Sequence, residues 1–313
     1  MKNMSKTARV IVPGTSANCG PGFDSIGVAC TIYNELELTL TEADGLSISI
    51  EGEGAENIPR DPRNIVCRSI RTLLHHAHME RHFHGIHMRM KNQIPLSRGL
   101  GSSAAAIVSG LKATNIILGN RFTRRELLQI ATQIEGHPDN VAPAIYGGFT
   151  VSVQATHGRV DCMAFMPHMP LKLIVAVPDF PLSTREARAV LPRRVPMADA
   201  VFNISRASLL VAALIKGQPQ FLRNAFADAL HQPYRENLIP GMHDVLQAAR
   251  RAGALGASLS GAGPCLIAYT LRNVKGISQA MKDAFARHGI NAQALELAID
   301  PHGARAATIF KNA

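Results

Sequence analysis

Apolar residues recur along this chain with two periods, and the shorter one dominates the first third. Glu35 to Leu40 alternates polar residues with leucine, and Leu46 to Ile50 alternates apolar residues with serine. A period of two places every second side chain on one face of an extended backbone. Both segments therefore predict half-buried strands, separated by the turn pair Asp44-Gly45. Val10 to Val12 predicts a short strand ending at Pro13-Gly14, and Ile86, Met88 and Met90 predict another. Helices are expected from Asn64 to about Arg81, and from Ser102 to Leu118 in an Ala-rich run closed by Gly119-Asn120. Thr123 and Glu126 stand at capping-box spacing and open a further helix reaching about Ile134.

The pattern changes character at Met166-Pro167-His168-Met169-Pro170, which predicts a division into residues 1–166 and 167–313. Beyond it, Leu171 to Val177 reads as a buried strand. Helices follow over Ala198–Lys216, Gln220–Leu230 and His243–Ala252. Short strands near Ala257–Leu259 and Cys265–Tyr269 flank a glycine loop, and a helix (Ile277–Arg287) and a strand (Ala306–Phe310) close the chain. Without regular strand–helix–strand spacing, the expected fold class is α+β in two lobes.

Composition narrows the function. Of 313 residues, 46 % are hydrophobic and 18 % charged, the balance of a globular protein, and the length suits two packed domains. The net charge of +10 is spread over isolated basic pairs such as Arg124-Arg125 and Arg250-Arg251. Trp is absent, so neither a basic stripe nor a stacking platform points to nucleic acid. Such charge suits a small anionic substrate instead. The five cysteines are scattered with no CxxC pair, which predicts a reducing, cytoplasmic setting. The opening MKNMSKTARV has no apolar core of a signal peptide, and Leu209–Ile215, the longest apolar stretch, is too short for a bilayer. A soluble protein with no membrane partner is expected.

The most informative segment is Pro95-Leu96-Ser97-Arg98-Gly99-Leu100-Gly101-Ser102-Ser103-Ala104-Ala105. Two glycines allow close approach of a ligand, and a helix starts directly behind them. The unpaired amides of its first turn and its dipole make an anion site suited to a triphosphate. Ser102 and Ser103 can cap that helix or reach a Mg²⁺ ion, and Arg98 and Lys91 can add positive charge. No Gly-Lys-Ser/Thr follows, so this is not a Walker A loop. Taken alone, the segment also fits a glycine turn with a serine cap.

Three segments together resemble the signature motifs of the GHMP kinase superfamily: Pro13 to Asp24 (PGTSANCGPGFD), the phosphate loop, and Gly256 to Pro264 (GASLSGAGP). Within it, Glu135 to Pro143 (EGHPDNVAP), Thr184 to Arg188 with Leu191-Pro192, and Pro233-Tyr234-Arg235 with Leu238 to Gly241 are similar to the homoserine kinase family. The resemblance implies an N-terminal ribosomal-S5-like lobe, a C-terminal ferredoxin-like lobe and an active site between them. It also implies ATP-dependent phosphorylation of L-homoserine with Mg²⁺, and its relatives suggest a homodimer. By the same resemblance Glu135 would hold Mg²⁺ opposite Ser102 or Ser103, and Asn140 would orient the attacking hydroxyl. His137 would line the substrate pocket, and Asn64 would contact adenine unless it serves as a helix N-cap. Homoserine carries a carboxylate, which suits the guanidinium forks of Arg188 and Arg235, and an ammonium, which suits Asp24 beside Asn18. Asp139 is a possible base, with direct attack and no dedicated base as the first expectation.

Other features invite other readings. His75, His78 and His82 would share one face of a helix continuing to Arg81, a spacing that suggests zinc, although no familiar ligand set completes it. Cys19 in the first motif has no histidine partner in sequence and reads as a small packed residue. A different GHMP kinase and a non-catalytic binding protein on the same fold are the rival functions.

Overall fold

The computed structural model describes residues 5–155 and 158–307. In chain order the elements are β1 (Ser5–Ala17), β2 (Ile26–Thr41), β3 (Gly45–Gly52), α1 (Ile65–His76), β4 (Gly85–Asn92), α2 (Ser102–Ile117), α3 (Arg124–Glu135), α4 (Pro138–Tyr146), β5 (Phe149–Gln154) and β6 (Val160–Phe165). There follow β7 (Lys172–Pro178), α5 (Thr184–Ala189), α6 (Met197–Lys216), α7 (Leu222–Ala225), α8 (Gln232–Arg235), α9 (Met242–Arg251), β8 (Gly256–Leu259), β9 (Leu266–Thr270), α10 (Val274–Ala286), β10 (Ala292–Ala298) and β11 (Arg305–Ala306).

A seven-stranded sheet carries the first lobe in the order β11-β1-β2-β4-β3, with β5 joined to β2 and β6 to β5. β2 is long enough to serve two neighbours on the same side: Ile26–Val28 pairs with β5 and Asn34–Thr41 with β4. The strands flanking Asp44-Gly45 are not partners. β4 lies between them, and β3 runs parallel to β4 at the edge, which leaves Leu46 exposed. β1 also does not stop at Pro13-Gly14 but runs on to Ala17 after a register shift there. That continuation delivers the first motif to the end of the sheet, against which α2 and α4 pack. The Ala-rich α2 is the central helix, its small side chains allowing close contact with β1 and α1.

The second sheet is antiparallel in the order β10-β7-β9-β8. Numbered along the chain this is 4-1-3-2, with α9 before the second strand and α10 before the fourth, a ferredoxin-like arrangement. β11 returns to β1, and the larger apolar core runs from the first sheet through Leu173, Val175 and Tyr269 of the second. The two lobes thus share packed side chains.

Several expected elements are shorter. α1 ends at His76, so His75, His78 and His82 do not share a helix face, and His75 bonds instead to Glu80. The helix expected over Gln220–Leu230 is a 3₁₀ turn and the four-residue α7, because the Asp228 carboxylate accepts from the backbone N–H groups of Leu230, His231 and Gln232. Ala306 ends β11, and most of the strand expected to Phe310 lies outside the described residues. α6 is a continuous helix of 20 residues containing an 18-residue window of mean hydropathy 1.5, long and apolar enough to cross a bilayer by length and composition, unlike the short stretch within it. It is anchored to the protein through Leu210, Ala213 and Leu214 and by Asn203, which donates to Asp228 and to the Pro21 carbonyl.

Candidate active site

Between the lobes lies a cavity of about 430 Å³, lined from the first motif, the phosphate loop, the 57–65 segment, the α3–α4 junction, α5, α8 and the third motif. The three glycine-containing motifs, far apart in sequence, meet at its wall.

The phosphate loop is shaped by its packing. Gly99 has φ +81°, and a Cβ there would stand 2.2 Å from the Ser260 carbonyl oxygen; Gly101 has φ +68°, and a Cβ there would stand 2.0 Å from Thr15 Oγ1. The glycines are required by their neighbours as much as by a ligand. The Ser260 hydroxyl lies 2.6 Å from the Gly99 carbonyl and 2.8 Å from the Ser16 hydroxyl, tying the first and third motifs to the loop. Leu182 N–H donates to the Ser97 carbonyl, and Cys265 N–H to that of Arg98. No backbone N–H from Arg98 to Ala104 donates to a described acceptor, so a row of free amides precedes and opens α2.

Individual residues depart from expectation. The helix cap is Gly101, with no side-chain bond from either serine; the Ser103 hydroxyl donates instead to Glu135 Oε2 at 2.8 Å. Ser102 lines the cavity beside it. Arg98 points its guanidinium at the carbonyls of Pro178, Asp179 and Phe180, so it braces the loop against the second lobe; its N–H donors are spent there, while its charge stays at the cavity wall. Lys91 is exposed between Met90 and Asn92, which both line the cavity, and strand alternation turns it to the opposite face. Asn64 is fully buried: its Oδ1 caps Val66 and its Nδ2 donates to the Pro59 carbonyl. The N-cap reading of Asn64 holds, and Asn57, Ile58, Pro59, Arg63 and Ile65 line that end of the cavity instead. Leu100, Ala104 and Ala105 are core residues behind the loop, and Pro95 lies at its base outside the lining.

At the other end, charged groups converge. Arg188 Nη1 and Nη2 donate to Asp24 Oδ2 and Oδ1 at 3.1 and 2.6 Å. Arg235 is only 2 % exposed; its Nε donates to the Ala187 carbonyl and its Nη1 reaches the Gly261 carbonyl and His231 Nδ1. Its Nη2 has no partner among the described residues, a guanidinium edge left over beside the cavity. Burial, then the neighbouring Arg188 charge, pushes Arg235 down to about 10, so it remains a cation at neutral pH. Both guanidinium carbons sit over the Phe23 ring, 5.5 and 5.4 Å from its centroid. Asn18 lines the cavity with its amide engaged in the wall: Nδ2 donates to the Gly261 carbonyl and Oδ1 accepts from Asp24 N–H. It therefore sets the backbone that presents Asp24.

His137 stands at the N-cap just before α4, and its Nδ1 meets Asp139 Oδ1 at 2.6 Å. Burial disfavours its imidazolium, but the bond to Asp139 and that carboxylate's charge outweigh it and push its pKa up. Asp24, His137 and Asp139 present oxygen and nitrogen atoms within 4.8 Å of one another. Glu135 is pushed up from the usual carboxylate value by burial, an effect the Ser103 bond opposes. Cys19 is buried and pushed up to about 12, so it is an inert packed thiol. Sequence reading missed Thr15, Phe23, Thr184 and His231. Thr15 and Phe23 stand inside the first motif and Thr184 begins a noted segment, but nothing short of the fold places His231 behind Arg235.

This fold and this cavity define a small-molecule kinase of the GHMP superfamily. Residues 64–148 match the GHMP kinases N terminal domain and residues 210–287 the GHMP kinases C terminal domain. The homoserine kinase of Moorella thermoacetica is 46 % identical over 94 % of this chain and 98 % of its own, and that of Carboxydothermus hydrogenoformans 42 % over 94 and 95 %. The crystal structure of homoserine kinase from Cytophaga hutchinsonii superposes with a TM-score of 0.88 at 32 % identity, covering 98 % of this chain and 99 % of that one. The chain belongs to the homoserine kinase family.

Proposed function

We propose that this protein transfers the γ-phosphoryl group of ATP to the side-chain hydroxyl of L-homoserine, giving O-phospho-L-homoserine and ADP in threonine biosynthesis. The observation that carries this reading is a single cavity lined both by Arg98, Gly99, Gly101, Ser102 and Ser103, whose amides are free, and by the Asp24, Arg188 and Arg235 cluster. The amides and the α2 dipole bind the polyphosphate, while the apolar and amide groups near Ile58 and Met90 take the base. Arg235, with its free edge, and Arg188 hold the substrate carboxylate, and Asp24 with the His137–Asp139 pair receives the ammonium.

The chain offers a fitting place for Mg²⁺. Glu135 is a desolvated carboxylate with one serine hydroxyl as partner, and Ser102 stands beside it, giving the hard oxygen donors such an ion takes. When bound, the ion would neutralise charge on the β- and γ-phosphates. Asn140 orients the attacking hydroxyl. Asp139 is occupied by His137, which supports direct attack without a dedicated base, as suits a loose phosphoryl transition state. The scattered free cysteines suit a cytoplasmic enzyme, and the homodimer implied by the resemblance is a matter for mass measurement in solution.

ADP release measured with homoserine, mevalonate and galactose tests the proposal. Turnover with homoserine and Mg-ATP is expected; release with mevalonate and none with homoserine would overturn it.

A further inference from the structure

Asn140 is the polar side chain closest in role to the reacting hydroxyl, and an amide presents opposite hydrogen-bonding character on its two edges. Its Oδ1 lies 2.8 Å from Thr15 Oγ1. Thr15 is fully buried at the end of β1, and its hydroxyl has this one partner among the described residues. A buried hydroxyl proton needs an acceptor, so the Asn140 oxygen, not its nitrogen, must face Thr15. The turn of the phosphate loop closes the arrangement. A Cβ on Gly101 would stand 2.0 Å from Thr15 Oγ1 and 3.0 Å from Asn140 Oδ1, so all three groups touch. The Asn140 Nδ2 has no described protein partner, and the residue lines the cavity.

We infer that Thr15 is a positioning residue that locks the Asn140 amide with its NH₂ group toward the reacting atoms. This rests on the kinase reading above. Asn140 then acts as a hydrogen-bond donor, to the attacking oxygen or to the transferring phosphoryl group, and cannot serve as the acceptor of the hydroxyl proton. A flipped amide would turn an oxygen lone pair toward a phosphoryl group already rich in negative charge. Thr15 touches no substrate in this arrangement; it acts through Asn140. The same contact couples the orientation of that amide to the seating of Gly101, and hence of the phosphate-binding turn.

The test compares Thr15→Val, which exchanges the hydroxyl for a methyl at nearly constant volume, with Thr15→Ser, which keeps the donor. Each is made in the wild-type and Asn140→Ala backgrounds. Steady-state kinetics use whichever acceptor the wild-type enzyme phosphorylates, so a wrong substrate assignment and a wrong role for Thr15 give different results. In the wild-type background Thr15→Val is expected to lower kcat about tenfold, with both KM values within about twofold, while Thr15→Ser stays near wild type. In the Asn140→Ala background Thr15→Val should add nothing further, because the group it positions is gone. If Thr15→Val fails to fold, Thr15→Ala is read in the same way. Unchanged kcat in the wild-type background, or an equal loss in both backgrounds, overturns the inference.

Discussion

Asp24 and Arg188 meet through two parallel hydrogen bonds of 2.6 and 3.1 Å, although they stand 164 positions apart and belong to different lobes. Each side chain is about one-third exposed, so the pair adds little to stability. Its value is positional: it stores a carboxylate and a guanidinium beside each other where a zwitterion can exchange partners with both. A lysine keeps the charge but loses the fork. Arg188→Lys is therefore expected to raise the KM for homoserine roughly ten- to a hundredfold, leaving the KM for ATP and the melting temperature nearly unchanged. Steady-state kinetics and thermal melts check this; an equal rise in both KM values would place Arg188 elsewhere in the chemistry.

Glu135 carries its cost openly. Burial raises its folded pKa above the ordinary 4.5, so the ionised form opposes folding once the pH exceeds that value. A neutral isostere removes the penalty. Glu135→Gln should melt higher than wild type at neutral pH, and the gain should vanish in acid, where both side chains are uncharged. The same variant should need far more Mg²⁺ for turnover.

Asp139 sets the protonation behaviour of His137. Asp139 keeps the imidazole pKa up against the pull of burial, so Asp139→Asn should drop it below the ordinary 6.5, as NMR titration of His137 would show. Single-turnover phosphorylation by this variant should remain near normal. Collapse of that step at intact substrate binding would make Asp139 the base.

The glycines of the phosphate loop and the third motif differ in what a methyl would meet. At Gly99 it would strike the Ser260 carbonyl oxygen at 2.2 Å; at Gly261, with φ +56°, it would rest 3.4 Å from the Gly99 carbonyl oxygen. Gly261→Ala should lose about 1 kcal/mol for its left-handed backbone alone. Gly99→Ala adds a backbone collision and should lose about 2–4 kcal/mol together with most nucleotide affinity. Denaturant titration and nucleotide binding separate the two.

Local pattern went far in this chain because strands and helices obey periods that a reader can follow. The alternation at Leu36, Leu38 and Leu40, the Thr123–Glu126 box and the start of α2 at Ser102 all stand where their neighbours in sequence put them. Motif order likewise carried the family and most of the cavity wall. What sequence could not carry was the direction and partner of each polar side chain. Lys91 is turned away by one step of strand alternation, Asn64 spends both amide groups on a helix start, and Arg98 faces three carbonyls across the lobe boundary. Thr15 meets Asn140 only because β1 continues past Pro13-Gly14 and α4 packs against it. Secondary structure is set by short-range backbone sterics and apolar spacing, which the chain displays residue by residue. A hydrogen bond between residues 125 positions apart exists only after the first lobe has packed, and one between residues 164 apart only after both lobes have.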